Sequence, residues 1–160
     1  MKPMEIERKY TIKKLPENLD SYPFHIIEQG YLNTNPVVRV RRQDNDYYLT
    51  YKGSGMMMRE EYNLPLTAES YMHLISKSDG NIISKKRYLI PLSDHIPNSS
   101  LTIELDVFAP PFAPLIIAEI EFTSEEESNA FVAPDWFLED VTYDKAYHNS
   151  SLSQHNFNQE

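Results

Sequence analysis

The chain has 160 residues, 41% of them apolar and 12% aromatic. That suits one domain with a real core, because a fold near this size buries roughly two-thirds of its unfolded surface. With 15 Lys and Arg against 24 Asp and Glu the net charge is −9, a poor match to nucleic acid or an anionic membrane, and with no cysteine there are no disulfides, thiolate catalysis or cysteine-held metals.

The N-terminus, MKPMEIERKY, has no apolar h-region, and no apolar run reaches the ~18 residues of a membrane span. The expected location is therefore the cytoplasm.

Alternation at every second residue dominates the chain, broken by clusters of Pro, Gly, Asn and Asp. This pattern reads as strands joined by turns. In chain order, strands are expected over residues 4–12, 25–32, 37–43, 47–52 and 57–65. A helix is expected over 67–78, where Thr67 and Glu69 form a capping signal, Tyr71, Leu74 and Ile75 share a face, and Gly80 ends it. Strands resume over 82–91, 101–108 and 116–123. Ser124 opens a second helix over 124–132, with acids in its first turn, and Pro134 stops it. Residues 142–152 are expected to form a C-terminal helix, ending a domain over 1–153. Residues 154–160 read as a polar, frayed tail. About eight strands with few helices suggest an antiparallel sheet or barrel.

The charged residues recur with the same period of two. They are Glu5, Glu7 and Lys9; Arg39 and Arg41; Lys52; Arg59 and Glu61; Lys85 and Arg87; Glu104 and Asp106; Glu119 and Glu121. Residues two apart share a strand face, and the alternate face is apolar in several strands, as at Val38 and Val40 or Ile103, Leu105 and Val107. One such strand is ordinarily half-exposed, with a solvated face. The set departs from that reading because its pairs are sorted by sign, and like neighbours repel. Sorting by sign suits a cavity. Converging carboxylates hold a hard divalent cation such as Mg²⁺ or Mn²⁺. Arg and Lys beside them hold an anion of several charges. Together they describe a site for metal-chelated polyphosphate, which a closed barrel with outward apolar residues would enclose.

Glu5-Ile6-Glu7-Arg8-Lys9 resembles the N-terminal Glu-x-Glu-x-Lys signature of the CYTH superfamily, the triphosphate tunnel metalloenzymes. Later motifs follow in the family's order: Gln29-Gly30-Tyr31-Leu32, Arg39-Val40-Arg41, Leu49-Thr50-Tyr51-Lys52, Arg59-Glu60-Glu61, Lys85-Lys86-Arg87-Tyr88, Glu104-Leu105-Asp106 and Ala118-Glu119-Ile120-Glu121. The resemblance covers about residues 4–152 and is to short bacterial members.

The resemblance implies an α+β, mainly β fold: a closed antiparallel barrel of about eight strands with a polar, charged lumen and a few outer helices. It implies metal-facing carboxylates at Glu5, Glu7, Glu119 and Glu121, assisted by Glu104 and Asp106. It implies phosphate ligands at Lys9, Arg39, Arg41, Lys52 and Arg87, with Lys85, Arg59 and Lys145 as further candidates. Tyr31 paired with Lys52, or the carboxylate of Glu61, would take the proton of the attacking water. A homodimer is also implied. The segment 136–140 departs from the family's usual Gly and Glu and is expected to be a loop at a tunnel end.

Other features carry less. The five histidines show no zinc-like spacing. Lys52-Gly53-Ser54-Gly55 lacks the phosphate-loop frame and reads as a hairpin turn. No Gly-x-Ser-x-Gly elbow is present. The leading expectation is a metal-dependent triphosphatase acting on inorganic triphosphate or a small organic triphosphate. The alternatives are an adenylate cyclase of the same fold and a non-catalytic polyphosphate- or nucleotide-binding module. Retention of every acidic position favours catalysis.

Overall fold

The computed structural model describes residues 4–157. It contains β1 (Met4–Ile12), β2 (Phe24–Thr34), β3 (Val37–Gln43), β4 (Asp46–Lys52), β5 (Met58–Pro65), β6 (Asp79–Pro91), β7 (Thr102–Phe108), β8 (Ile116–Phe122) and β9 (Phe137–Asp140). Three helices accompany them: α1 (Ala68–Ile75), α2 (Glu125–Ala130) and α3 (Asn149–Ser153). The strands run β5-β4-β3-β2-β6-β7-β8-β1, and a β1–β5 pairing closes the ring. Eight antiparallel strands therefore form a barrel, whose closure removes the exposed edges an open sheet would carry.

β1 carries the seam. Met4, Glu5 and Ile6 pair with β5, residues 6–10 pair with β8, and Tyr10 and Ile12 pair with β9. The period of two survives folding intact. On β1, Glu5, Glu7 and Lys9 are buried while Ile6 and Arg8 are more exposed. The same parity turns Arg39, Arg41, Lys52, Lys85, Arg87, Asp106 and Glu119 away from solvent.

Apolar residues pack in two places. One core lies on the outer wall and includes Tyr88, Ile90, Ile103, Leu105, Ile120 and Phe122. Phe131, just after α2, covers it, with ring centroids 5.4 Å from Phe122 and 5.9 Å from Tyr10. A second core includes Tyr31, Val37, Ile83, Phe108, Phe112 and Ile117. Several of these share a strand face with the charged set, so the barrel interior is apolar at one end. Leu152 and Phe157 pack against this end, and Phe157 meets Phe112 at 5.3 Å. Phe157 of the expected tail thus packs against the core, while residues 154–156 are exposed; residues 158–160 of the expected tail lie outside the described residues.

Three expectations are corrected. Residues 137–140 form a strand, not a loop, and Arg8 bonds Asp140 across the new pairing. α1 ends at Ile75, and Gly80 belongs to β6, where φ is +73°. The C-terminal helix is broken. A 3-10 turn over Lys145–Tyr147 is capped by Asp144, which accepts from Ala146 N at 3.0 Å. His148 is then extended, and α3 begins at Asn149. No helix among the described residues is long and apolar enough to cross a membrane.

Candidate active site

The barrel encloses a cavity of about 230 Å³ in which every lining side chain carries a charge, an amide or a hydroxyl. Eleven of the residues expected from sequence line it: Glu5, Glu7, Lys9, Arg39, Arg41, Lys52, Glu61, Arg87, Glu104, Glu119 and Glu121. They come from seven strands, so the closed ring alone brings them together.

One wall is acidic. Carboxylate oxygens of Glu5 on β1, Glu61 on β5 and Glu121 on β8 lie within 4.8 Å of one another. Glu121 is also directly opposite Glu7 in register. Burial and the charges of Glu5, Glu61 and Glu104 push the Glu121 carboxyl up to about 7. Three hard oxygen donors that repel one another are a donor set fitted to Mg²⁺ or Mn²⁺. Glu61, expected as a base, belongs to this cluster.

A second group consists of cations tied to acids. Lys9 Nζ donates to Glu119 at 2.5 Å and lies 3.4 Å from Glu7. Burial alone would lower the Lys9 ammonium, but Glu119 and Glu7 hold it above its ordinary value. Burial would raise the Glu119 carboxyl, yet Lys9 and Arg87 hold it well below the usual carboxylate range. Arg87 donates to both oxygens of Asp106, from Nε at 2.7 Å and Nη2 at 2.9 Å, and reaches Glu104 at 3.2 Å. Lys85 closes the set, donating to Asp106 at 2.7 Å. Lys85 and Asp106 have no exposed side-chain surface and are not among the residues lining the cavity. They lie beneath its floor, where Asp106 holds Arg87 and Lys85 in place. Lys52 donates to Glu5 at 2.8 Å.

Arg39 and Arg41 differ from all of these. Both are buried, and neither has a carboxylate at ion-pair distance among the described residues. Arg41 donates its Nε to the neutral Gln29 amide oxygen at 2.7 Å. Burial and the like charges of Arg39 and Arg87 lower the pKa of Arg41. Two guanidinium groups on one strand thus face a polar cavity with no ion-pair partner among the described residues. A bound polyanion is the natural counter-charge.

The CYTH domain profile matches residues 3–154, nearly the whole chain. The chain belongs to the CYTH domain family. An inorganic triphosphatase of Nitrosomonas europaea (strain ATCC 19718) is 37% identical over 153 residues, 93% of this chain and 96% of that protein. Among solved structures, that of an inorganic triphosphatase aligns over 95% of both chains with a TM-score of 0.69 and 34% identity. A protein of Pyrococcus horikoshii shares the fold at TM-score 0.57 and 19% identity, over 89% of this chain and 87% of that one.

Two more expected residues of this CYTH domain, Tyr31 and Arg59, sit in a narrower part of the tunnel. Tyr31 and Arg59 line a neck of about 20 Å³ together with Lys52 and Arg39. His148, Asn149 and Ser150 also line this neck and close it from the C-terminal side. The buried His148 is held by a 3.0 Å contact between its Nε2 and the Thr142 carbonyl. Lys145 is exposed and lines an outer groove of about 500 Å³ with Arg59 and His148. It is not among the residues lining the main cavity.

Sequence reasoning missed Gln43, Tyr48, Asn63 and Asn149, which all line the cavity. Gln43, Tyr48 and Asn63 share the inward parity of Arg41, Lys52 and Glu61, so their spacing marked them. Being uncharged, they stood outside a search based on charge.

Proposed function

We propose that this CYTH domain is a divalent-metal-dependent triphosphatase that hydrolyses inorganic triphosphate or a small organic triphosphate in the cytoplasm. The observation that carries the reading is the pairing of two walls in one cavity: Arg39 and Arg41 without acidic partners, and Glu5, Glu61 and Glu121 converging within 4.8 Å. Phosphoryl transfer needs mainly positioning and charge stabilisation. Arg39 and Arg41 orient the phosphate chain and neutralise its oxygens, with Lys52 positioned to join them. Glu5, Glu61 and Glu121 hold Mg²⁺ or Mn²⁺. When bound, such an ion polarises the phosphoryl oxygens and acidifies water. Lys9 and Arg87 keep the acids Glu7, Glu104 and Glu119 in place.

Glu61 serves the metal wall, so the Lys52–Tyr31 pair is the better candidate to position the attacking water. Both residues line the neck. The tunnel cavity is lined only by charged, amide and hydroxyl side chains, a lining suited to a phosphate chain more than to adenine. This favours hydrolysis, in keeping with the inorganic triphosphatase relative.

The test is phosphate release with Mg²⁺ or Mn²⁺ from inorganic triphosphate, thiamine triphosphate, ATP and pyrophosphate, with cyclic AMP assayed alongside. Metal-dependent release from triphosphate is expected, without cyclic AMP. Release undiminished after exhaustive chelation, or cyclic AMP as the main product, overturns the reading.

A further inference from the structure

The cations of the tunnel are supported in two ways. Lys9, Lys52, Lys85 and Arg87 each rest on a carboxylate. Arg41 rests on a neutral amide, whereas Arg39 Nε is buried with no hydrogen-bond partner among the described residues. In register, Arg41 on β3 has Gln29 on β2 at one side and Tyr48 on β4 at the other. Arg39 has Tyr31 and Thr50 in the equivalent places. Both arginines thus have amide- or hydroxyl-bearing neighbours in register, but only Arg41 has its Nε held by one of them.

Gln29 shows the bracket most clearly. Its side chain is fully buried and does not line the cavity, so it does not touch a ligand held there. Its Oε1 accepts from Arg41 Nε at 2.7 Å. Because arginine only donates, the amide must turn its oxygen toward Arg41. The cost falls on the other end: Gln29 Nε2 is buried with no hydrogen-bond partner. A buried orphan donor is unfavourable, and a hydrocarbon of the same shape would avoid it. The amide is explained by its service to Arg41. A carboxylate would make a stronger bond to the guanidinium, as Asp106 does for Arg87, but would cancel the charge that faces the cavity.

We propose that Gln29 is a positioning residue. It fixes the guanidinium of Arg41 through Nε, leaves the terminal nitrogens facing the cavity, and preserves the full positive charge for a polyphosphate oxygen. Tyr48 supports the same group from the opposite strand; its hydroxyl lies against Arg41 and donates to Gln43 at 3.0 Å. The effect on substrate rests on the triphosphatase reading above, whereas the hydrogen bond to Arg41 does not.

The experiment has two arms. In the first, the ¹⁵Nε–H signal of Arg41, assigned by its loss in Arg41→Ala, is compared between the wild type, Gln29→Met and Gln29→Glu. A signal that moves in Gln29→Met supports the proposal; an unmoved one overturns it. The second arm is steady-state hydrolysis of inorganic triphosphate. Gln29→Met is expected to raise KM about tenfold, the scale of one hydrogen bond to a charged group, with kcat changed far less. In an Arg41→Ala background the same substitution is expected to add nothing. Gln29→Glu keeps the acceptor and the shape, yet is expected to raise KM at least as much, because it neutralises Arg41. This variant also decides the matter should Gln29→Met disturb folding. A full additive loss in the Arg41→Ala background, or a wild-type KM for Gln29→Glu, overturns the proposal. A wild type inactive on every triphosphate defeats the functional reading instead, while the first arm still decides the role of Gln29.

Discussion

Glu7 on β1 lies directly across from Glu121 on β8, and like charges facing each other destabilise a sheet. Burial first, then the charges of Glu5, Glu61 and Glu104, and last that of Glu7, push the Glu121 carboxyl up from its ordinary 4.5 to about 7. An acid with a raised folded pKa lets the native state bind more protons than the unfolded chain, so stability falls as pH rises between the two values. Metal-free protein should therefore lose stability between about 4.5 and 7. Thermal melts of the chelated wild type and Glu121→Gln, from about pH 5 to about pH 8.5, should diverge as pH rises, with the variant more stable. Mg²⁺ or Mn²⁺ should narrow the gap, because the cation lets the wild-type carboxylate ionise at less cost. Parallel curves at every pH would refute the strained carboxylate.

Arg39→Ala and Arg41→Ala should each weaken triphosphate binding without loss of a cooperative melt. Each removes a buried charge that has no acidic partner, so no carboxylate is orphaned. The expected loss is about 1.5–3 kcal/mol per charged hydrogen bond, roughly tenfold to a hundredfold in affinity. Calorimetric titration with metal-free triphosphate reads it directly. Variants that unfold while keeping their affinity would make the arginines structural.

Asp106→Asn should behave in the opposite way. Asp106 is the counter-charge of both Lys85 and Arg87, and removing one partner of a buried pair costs about 3–5 kcal/mol. Urea unfolding should show a large loss of stability before any question of turnover arises. Glu5→Gln in the carboxylate cluster should instead retain the fold and raise the Mg²⁺ needed for half-maximal activity. Glu126→Gln, on α2 outside the tunnel, is the control and should match the wild type. A stable Asp106→Asn with a specific metal defect would return Asp106 to the metal ligands.

These contrasts mark what could be read from the sequence. The alternation that places Arg39 and Arg41 on one face depends only on the pleat, so the inward set was visible strand by strand. Depth along the barrel was not. Glu104 lines the cavity and Asp106, two residues on, lies below its floor, fully buried against Lys85 and Arg87. β9 escaped notice because it has four residues and one buried side chain, Phe137; its strand geometry comes from the end of β1. The position of Lys145 on an outer groove could not be read either, because the path of the chain after Thr142 depends on the Asp144 cap and the His148 anchor.

The closed end of the tunnel depends on Gly80 at the start of β6. Its φ of +73° is one that L side chains rarely adopt, and a Cβ there would lie 2.0 Å from the Ser153 carbonyl oxygen. α3 thus docks against bare backbone, which brings Asn149 into the cavity. Gly80→Ala should destabilise the protein by at least ~1 kcal/mol through strain and should loosen α3 as well. Gly80→Asn separates the two effects, since Asn tolerates positive φ but retains the clash. If close approach dominates, both variants should expose the bond after Lys145 to trypsin faster than in the wild type. Both should also raise KM, because Asn149 leaves the cavity wall. Wild-type proteolysis and KM in Gly80→Asn would leave backbone strain as the whole role of this glycine and would detach α3 from substrate binding.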